Sequence, residues 1–246
     1  MQIPPIPSLS HLVRHFLILE SPSTEKTIHR LIPDGSPGIV FHYGAPFAPF
    51  PRSFAYGQIT RPHNIVSTGP IGVFIVVLQP HALSQLTSHP LTNSFIPLQQ
   101  LWGAKADMLL KATSHQERLD RIQSFLLQYN IQPPGPIITQ SLQWLEHNES
   151  PNIENLAKKL AISKRTLERT FKAAIGIPPK QFAGIIRTQH FLKALRTENL
   201  TRLAYQFGYY DQSHLIKDFK TKTGITPGKY FAAKDTLALN FIQFPA

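Results

Sequence analysis

Apolar residues form short runs in the first eighty positions, whereas later in the chain they recur at helical spacing. The segments 38–44, 53–60 and 71–79 are rich in β-branched and aromatic residues and are bounded by Pro and Gly, so we predict a strand in each. The segment 80–86 begins with proline and has the composition of a short helix. Strands followed by helices indicate an α+β fold.

A longer helix is predicted near residues 116–129. Its apolar positions recur three and four residues apart, at Leu119, Ile122, Leu126 and Tyr129. Ser114 and Glu117 form the capping-box pair that commonly begins such a helix. This helix is a candidate dimer surface, and a helix packed on the strands explains the same pattern. The prolines in 130–136 exclude helix and predict a linker, which divides the chain into domains 1–130 and 131–246.

The second domain contains an internal repeat. Residues 152–182 align with residues 199–230. Equivalent residues are 47 positions apart in the first helix of each copy and 48 positions apart in the second helix. Each copy reads as a helix, a tight turn and a second helix, with apolar residues on one side. The second helices have matching ends, with caps at Ser163 and Asp211 and terminating glycines at Gly176 and Gly224. We therefore predict an all-α domain with two helix-turn-helix units.

One long helix, residues 178–196, is predicted between the two units. Its 19 residues would span about 28 Å. That length is comparable with the roughly 34 Å between major-groove faces one turn apart on duplex DNA. One chain could therefore place both second helices in successive grooves. The apolar, β-like segment 237–246 is expected to pack back on the protein.

The second helix of each unit leaves a polar side unpacked. The outward residues are Lys164, Arg165, Glu168, Arg169 and Lys172 in the first unit, and Gln212, Ser213, His214, Lys217 and Lys220 in the second. Arg can donate two hydrogen bonds to guanine and Gln can bridge adenine, while Ser, His and Lys can contact bases or phosphates. We therefore expect both helices to bind double-stranded DNA.

The distribution of charge agrees with this expectation. Residues 1–150 contain 9 Lys and Arg against 8 Asp and Glu, a net charge of +1, whereas residues 151–246 contain 16 against 6, a net charge of +10. A positive field concentrated on one domain favours a polyanionic partner such as nucleic acid. A lone helix-turn-helix pattern occurs by chance in helical proteins, but a duplicated one in so basic a domain is much more specific.

Residues 152–231 resemble the two-unit DNA-binding domain of AraC/XylS-type bacterial transcriptional regulators, most clearly in "LAYQFGYYDQSHLIKDFKTKTGITPGKY" (203–230). The resemblance implies a seven-helix domain whose two recognition helices enter adjacent major grooves. Base contacts would fall on Arg165, Glu168, Arg169, Gln212, Ser213, His214 and Lys217, and we expect phosphate contacts from Lys164, Lys172 and Lys220. Segments 33–44 and 77–86 are similar to the cupin-like β-barrel that precedes this domain in some members, which implies effector sensing or dimerisation.

The sequence departs from the family pattern at a few positions. Ala161 stands where glycine is commoner in the first turn, and Leu215 replaces a frequent phenylalanine. Lys217 stands where Arg is usual, which weakens bidentate reading of guanine there. Phe191 occupies a position on the long helix that is usually alanine, so we expect different local packing between the units.

Candidate chemistry in the first domain is sparse. The chain has no cysteine, which excludes thiol nucleophiles and thiolate zinc sites, and we expect a cytoplasmic protein that does not associate with membranes. Histidines are frequent, but the H-x-H pair of cupin metal enzymes is missing, so we expect neither a metal nor a cofactor. The default effector pocket is the barrel interior. Its candidate lining residues are Phe41, Tyr43, Tyr56, Phe74 and Val76, although core packing explains the same alternation.

The leading hypothesis is a sequence-specific DNA-binding transcriptional regulator rather than an enzyme. Its expected partners are promoter DNA and RNA polymerase, with a small-molecule effector or a homodimer contact acting through the first domain. Two alternatives stay open, a metal-dependent cupin-type enzyme fused to a DNA-binding module and a non-specific architectural DNA binder. Two recognition helices of different character argue against the architectural binder, because non-specific binding needs only charge.

Overall fold

Two antiparallel sheets face each other in the first part of the molecule. The computed structural model describes residues 1–103, 105–106, 111–148, 151–195, 200–232, 236–238 and 241–245. The strands are β1 (Gln2–Ile3), β2 (Val13–Ser21), β3 (Thr27–Leu31), β4 (Gly38–His42), β5 (Ser53–Tyr56), β6 (His63–Ser67), β7 (Ile71–Leu78), β8 (Phe95–Pro97), β9 (Thr236–Ala238) and β10 (Phe241–Pro245). One sheet has the order β1-β2-β7-β4-β5-β8 and the other β6-β3-β10-β9.

Most of the helices follow the strands β1 to β8, which confirms the α+β class. The predicted all-α domain 131–246 is helical up to Ala232 in the described residues, but it ends in the strands β9 and β10, which pair with the first domain. The helices are α1 (Leu83–Leu86), α2 (Leu98–Trp102), α3 (His115–Leu126), α4 (Pro136–His147), α5 (Ile153–Lys159), α6 (Lys164–Ile175), α7 (Pro179–Ala194), α8 (Leu200–Gln206), α9 (Gln212–Thr223) and α10 (Pro227–Ala232). The long central helix α7 has 16 residues, which span about 24 Å. The remaining part of the predicted helix beyond residue 195 lies outside the described residues.

The strand β7 separates two apolar cores because both of its faces are hydrophobic. On one face, Phe74 and Val76 join a buried cluster formed with β2, β4 and the helices α1 to α3. On the other face, Val73 joins a cluster that fills the space between the two sheets. The three predicted strands therefore exist, within β4, β5 and β7. The long strand β2 was not predicted, because Arg14, His15 and Glu20 interrupt its apolar pattern.

The helix α3 packs on the six-stranded sheet. Its residues Ile122, Phe125 and Leu126 are buried in the same cluster as Phe74. As predicted, the Ser114 hydroxyl accepts a hydrogen bond from the Glu117 amide, at 3.1 Å. The Glu117 carboxylate binds the Thr113 amide rather than that of Ser114, so the capping box is shifted by one residue.

The C-terminal strands complete the four-stranded sheet. The strand β10 pairs with β3 over five positions, from Phe241 opposite Leu31 to Pro245 opposite Thr27. The far end of the chain thus lies in a sheet of the first domain, which agrees with the expectation that this segment packs back on the protein. Within the described ranges, no helix is long and apolar enough to cross a membrane. In these same ranges no group of His, Asp and Glu side chains could hold a metal ion.

The helical domain has two cores, one for each unit. In the first, Leu167 and Phe171 of α6 pack against α4, α5 and the first half of α7. In the second, Leu215 and Phe219 of α9 pack against α8, α10 and the second half of α7. Phe191, the unusual residue of the long helix, fills this second core between the rings of Phe207 and Phe219, at centroid distances of 5.7 Å and 5.3 Å.

Candidate nucleic-acid interface

The first recognition helix, α6, is fixed at both ends by its own sequence. The Ser163 hydroxyl accepts a hydrogen bond from the Thr166 amide at 3.1 Å, which caps the start of the helix. Gly176 ends it in the left-handed conformation, with a φ of 94°. The turn before the helix contains Ala161, whose φ of 52° is unusual for a residue with a side chain.

The second recognition helix, α9, repeats this arrangement with different residues. The Asp211 carboxylate accepts a hydrogen bond from the His214 amide at 2.7 Å. Gly224 ends the helix with a φ of 75°. In the turn before α9, Gly208 has a φ of 70°, where the first unit has Ala161. In both units, the recognition helix therefore begins with a capped turn, and the exposed side of that helix carries polar residues.

The structure places every predicted DNA-contacting side chain on the exposed side of a recognition helix. These side chains belong to Lys164, Arg165, Glu168, Arg169, Lys172, Gln212, Ser213, His214, Lys217 and Lys220. The opposite sides are buried, since Leu167 and Leu215 are at most 1% exposed. Each helix is thus anchored through one side and presents the other, which is the geometry of a recognition helix. Which of these residues contact bases stays a prediction.

Two of these side chains already have neighbours. The Lys164 ammonium lies 3.0 Å from the Glu154 carboxylate, so it connects α6 with α5. The hydrogen bond from Lys164 holds the pKa of Glu154 below its usual value. In the second unit, the His214 ring lies edge-on to the Tyr209 ring, with centroids 5.3 Å apart. Contacts of Lys164 and His214 with DNA would therefore compete with contacts inside the protein.

A carboxylate that the sequence pattern did not single out holds the second unit together. Asp218 of α9 accepts hydrogen bonds from Lys222 (2.7 Å), from Arg187 of α7 (3.5 Å) and from the Tyr209 hydroxyl. Burial alone would raise the pKa of Asp218, but the hydrogen bonds from Lys222 and Tyr209 hold it below its usual value. Only the spacing of Asp218 and Lys222 could have indicated this network, because Arg187 and Tyr209 lie outside α9.

The first domain contacts both recognition helices at their C-terminal ends. The Thr92 hydroxyl donates a hydrogen bond to the Gly176 carbonyl at 2.7 Å. The Arg30 guanidinium donates one to the Gly224 carbonyl at 2.8 Å. Between these points, the buried Gln189 amide of α7 donates to the Pro33 carbonyl at 2.7 Å. The first domain is thus bound to both units and to the helix that joins them.

A cavity of about 490 Å³, which we call the sheet cavity, lies between the first domain and α7. Leu17, Ile75 and Val77 line it from the six-stranded sheet, and Leu31 from the other sheet. Ile186 and Gln189 of α7 close it. Any molecule in this cavity would touch the first domain and the helix between the two units.

Of the five residues predicted to line an effector pocket, Tyr56 lines the sheet cavity. Phe41, Phe74 and Val76 are buried in the cluster on the opposite face of the sheet, and Tyr43 packs against that cluster. The prediction differs from the structure by one position along β7, where Ile75 and Val77 face the cavity instead. Alternation could not distinguish the two faces, because both are apolar.

Charged and titratable groups also line the sheet cavity. Arg14 contacts the Ser36 hydroxyl at 3.2 Å and the Glu146 carboxylate at 3.5 Å. Burial raises the pKa of Asp34 to about 6. Burial and the neighbouring Arg14 lower the pKa of His15. The sheet cavity therefore combines apolar side chains from the two sheets with a larger number of polar and charged side chains.

Comparison with known proteins agrees with this geometry. Residues 156–233 match a family described as a helix-turn-helix domain. Residues 1–95 match a family described as a domain of unknown function (DUF6597). The cupin likeness of the first domain stays a prediction.

Two relatives match over part of this chain. The HTH-type transcriptional activator RhaS of Mannheimia succiniciproducens is 35% identical over 92 residues, which are 36% of this chain and 34% of the relative. A putative AraC-like transcription regulator of Streptomyces antibioticus is 30% identical over 99 residues, which are 39% of this chain and 33% of the relative. The chain therefore spans about a third of the length of these relatives.

Among solved structures, ToxT from Vibrio cholerae aligns with 88% of this chain and 97% of its own, at 10% identity and a TM-score of 0.49. The assignment of the helical domain depends on the family match and the named relatives, together with the two capped and terminated units. The part of the chain centred on residues 156–233 is therefore a helix-turn-helix domain of the AraC type.

Proposed function

We propose that this protein is a sequence-specific DNA-binding transcriptional regulator. The observation that carries the proposal is the pair of recognition helices, each buried on one side and each presenting exposed polar side chains on the other. The basic charge of the same domain supports it, because residues 151–246 carry a net charge of +10 and DNA is a polyanion.

The two helices are proposed to divide the work of recognition. Arg165, Glu168 and Arg169 would contact bases from α6, and Gln212, Ser213, His214 and Lys217 from α9. Lys164, Lys172 and Lys220 would contact phosphates, which positions the helices without reading sequence. The first helix would favour guanine through Arg, and the second would favour adenine through Gln212.

The first domain is proposed to control how the two helices are presented. It contacts the ends of both recognition helices, through Thr92 and Arg30, and the sheet cavity lies against α7. A small-molecule effector in that cavity, or a homodimer contact through the first domain, would change operator affinity or the contact with RNA polymerase. Such a regulator would act in the cytoplasm, where bacterial promoters lie.

The proposal includes no catalytic activity. The named relatives are transcriptional regulators, and the helical domain provides binding surfaces rather than reacting groups. An architectural binder is disfavoured because the two exposed sides differ. The first carries Arg and Lys, whereas the second begins with Gln212, Ser213 and His214.

Selection from a random duplex library at near-physiological salt tests this proposal. We expect an enriched motif with two determinants about one helical turn apart, since each recognition helix occupies one major groove. Tight, salt-sensitive binding without an enriched motif would instead indicate an architectural binder. A variant carrying Arg165→Ala and Gln212→Ala serves as the control, because it should lose enrichment in both half-motifs while keeping its fold.

A further inference from the structure

A second cavity, of about 340 Å³, lies between the first domain and the helices α7 and α9. Lys180 and Arg187 of α7 and Lys222 of α9 line it, and Pro33 and Thr60 close it from the first domain. None of the described residues that line this cavity is acidic. We call it the cation crevice, and it is separate from the sheet cavity.

Positive charge is in excess around the cation crevice. Asp218 lies beside it and accepts hydrogen bonds from Lys222 and Arg187. Asp218 is thus shared by two of the three cations, and Lys180 forms no ion pair with any described residue. The Arg187 Nε atom is buried without a hydrogen-bond partner. Burial and the neighbouring Arg187 also lower the pKa of Lys222, so the cations are close enough to repel each other.

Gly184 forms part of the wall of the cation crevice. It lies in the interior of α7, four residues after Lys180 and three before Arg187, so all three share one side of the helix. Glycine in a helix interior is unfavourable, yet packing does not require it here. A Cβ atom at this position would approach nothing closer than the Lys222 side chain, at 3.7 Å.

A smaller cavity continues the open space along α7. It is about 160 Å³ in volume and is lined by Lys180, Gly184 and Arg187 together with Pro151 and Ala183. The missing side chain of Gly184 therefore keeps a continuous gap open between the two cations of α7. An open gap between two cations, of which only Arg187 contacts a carboxylate among the described residues, is the form expected of an anion-binding site.

We propose that the cation crevice binds a small phosphorylated molecule through Lys180, Arg187 and Lys222. Among the described residues, three cations with one neighbouring carboxylate leave an excess of two positive charges, and a phosphate monoester carries nearly two negative charges at pH 7. The crevice volume of about 340 Å³ is in the range of small-molecule sites. The occupant would touch the first domain, the connecting helix and α9 together. Control of DNA binding by this occupant rests on the proposed function, but phosphate binding itself does not.

Titration with inorganic phosphate, followed by isothermal calorimetry in the absence of DNA, tests the site. Acetate at matched ionic strength is the control anion. We expect saturable phosphate binding that Lys180→Gln weakens about tenfold, the loss of one charge-assisted hydrogen bond. Lys159→Gln, the same charge change on the exposed side of α5, should leave binding unchanged. Equal phosphate binding by the wild type and Lys180→Gln, or no saturation in the wild type, would overturn the proposal.

Substitution of Gly184 provides a test that does not remove a charge. Gly184→Leu should fill the gap and abolish phosphate binding, whereas Gly184→Ala should retain it, because a Cβ atom alone fits. Both variants should be at least as stable as the wild type, since each removes a glycine from a helix. Retained binding in Gly184→Leu would contradict the assignment.

A DNA-binding assay then separates this site from a contact with DNA. If Lys180 binds a free phosphorylated molecule, Lys180→Gln should alter operator affinity when phosphate is present and leave it unchanged when phosphate is absent. An equal loss of affinity under both conditions would mean that Lys180 contacts the DNA backbone, and the small-molecule proposal would be wrong. If the protein bound no DNA, the proposed function would fail while the calorimetric result stood.

Discussion

Gly176 and Gly224 are equivalent residues 48 positions apart, and the carbonyl of each accepts a hydrogen bond from the first domain. The donors are unrelated, since Thr92 contacts Gly176 and Arg30 contacts Gly224. The repeat thus supplies two matching attachment points, one at the C-terminal end of each recognition helix. The first domain holds the helices by these ends and leaves their exposed polar sides uncovered.

We expect Gly176→Ala to destabilise the protein. An added Cβ atom would lie 2.6 Å from the Leu91 Cβ atom, and the φ of 94° is unfavourable for alanine. The strain and the overlap together should lower the free energy of unfolding by about 2 kcal/mol or more. Urea denaturation measures this change. Gly228→Ala is the matched control, because a Cβ atom there meets nothing within 4 Å, and it should leave the midpoint unchanged or raise it.

The Thr92 hydroxyl can be removed without a change of shape. Thr92→Val should lower the free energy of unfolding by about 1 kcal/mol, because the hydrogen bond to the Gly176 carbonyl is lost. Thr92→Ser keeps the hydroxyl and should be close to the wild type. Equal midpoints in urea for Thr92→Val and the wild type would show that this contact between the domains contributes nothing to stability.

In the turns that precede α6 and α9, exchanging alanine and glycine should have opposite effects on stability. Ala161 has a φ of 52° and Gly208 a φ of 70°. Ala161→Gly should therefore raise the thermal midpoint by relieving strain, whereas Gly208→Ala should lower it, each by the equivalent of about 1 kcal/mol. A thermal unfolding curve of each variant measures the shift. Destabilisation by both would mean that the methyl group of Ala161 makes contacts worth more than the strain.

Substitutions on α6 should distinguish the residues that read bases from the residue that contacts phosphates. Arg165→Ala or Arg169→Ala should relax preference at particular base pairs, with a loss of about 1–3 kcal/mol on the preferred site. Lys172→Ala should weaken all duplexes alike and reduce the dependence of affinity on salt. Fluorescence anisotropy with the selected duplex and a scrambled one measures both effects. Uniform losses in all three variants would contradict the assignment of the Arg residues as readers.

Acid should destabilise the protein. Burial lowers the pKa of His29, His42 and His81 to about 4. The unfolded chain binds these protons near pH 6.5, so stability that is complete above pH 6.5 is lost as the pH falls towards 4. Asp34 acts in the opposite direction, because its raised pKa of about 6 makes the folded state keep a proton that the unfolded chain releases. The histidines with lowered pKa values outnumber this carboxyl group, so we predict a net loss of stability on acidification.

Urea denaturation between pH 7.5 and 4.5 tests this balance with Asp34→Asn as the comparison. The variant lacks the opposing carboxyl group, so its stability should fall more steeply on acidification than that of the wild type. At pH 7.5 it should be more stable, by about 1–2 kcal/mol, because a buried charge is removed. Parallel pH profiles for the two proteins would show that Asp34 titrates normally in the folded state.

The helical domain could be predicted well because its signals are local. The caps Ser163 and Asp211 and the terminators Gly176 and Gly224 lie within a few residues of the helices they delimit, and the repeat confirms each against its counterpart. Once the buried residues of α6 and α9 are identified from their spacing, the residues on the exposed sides of these helices follow directly. Contacts of Asp218 with Arg187 could not be foreseen, because they depend on how α7 and α9 cross.

The first domain could be predicted only in part, because its pairing is between distant segments. The strand β7 could be recognised from its composition, but its two apolar faces concealed which residues line the sheet cavity. The strand β2 carries charged residues at its ends and pairs with β7 across more than fifty residues of sequence. The contacts made by Thr92 and Arg30 depend on the same long-range arrangement.

The pairing of β10 with β3 imposes an order on synthesis. The strand β3 is made from residues 27–31, but one of its two neighbours consists of residues 241–245. A ribosome must therefore translate the entire helix-turn-helix domain before that edge of β3 can be covered. Until then the nascent chain carries an open strand edge, the kind of surface on which chains associate wrongly. Chaperones that shield such edges would therefore have to cover β3 until residues 241–245 have been synthesised.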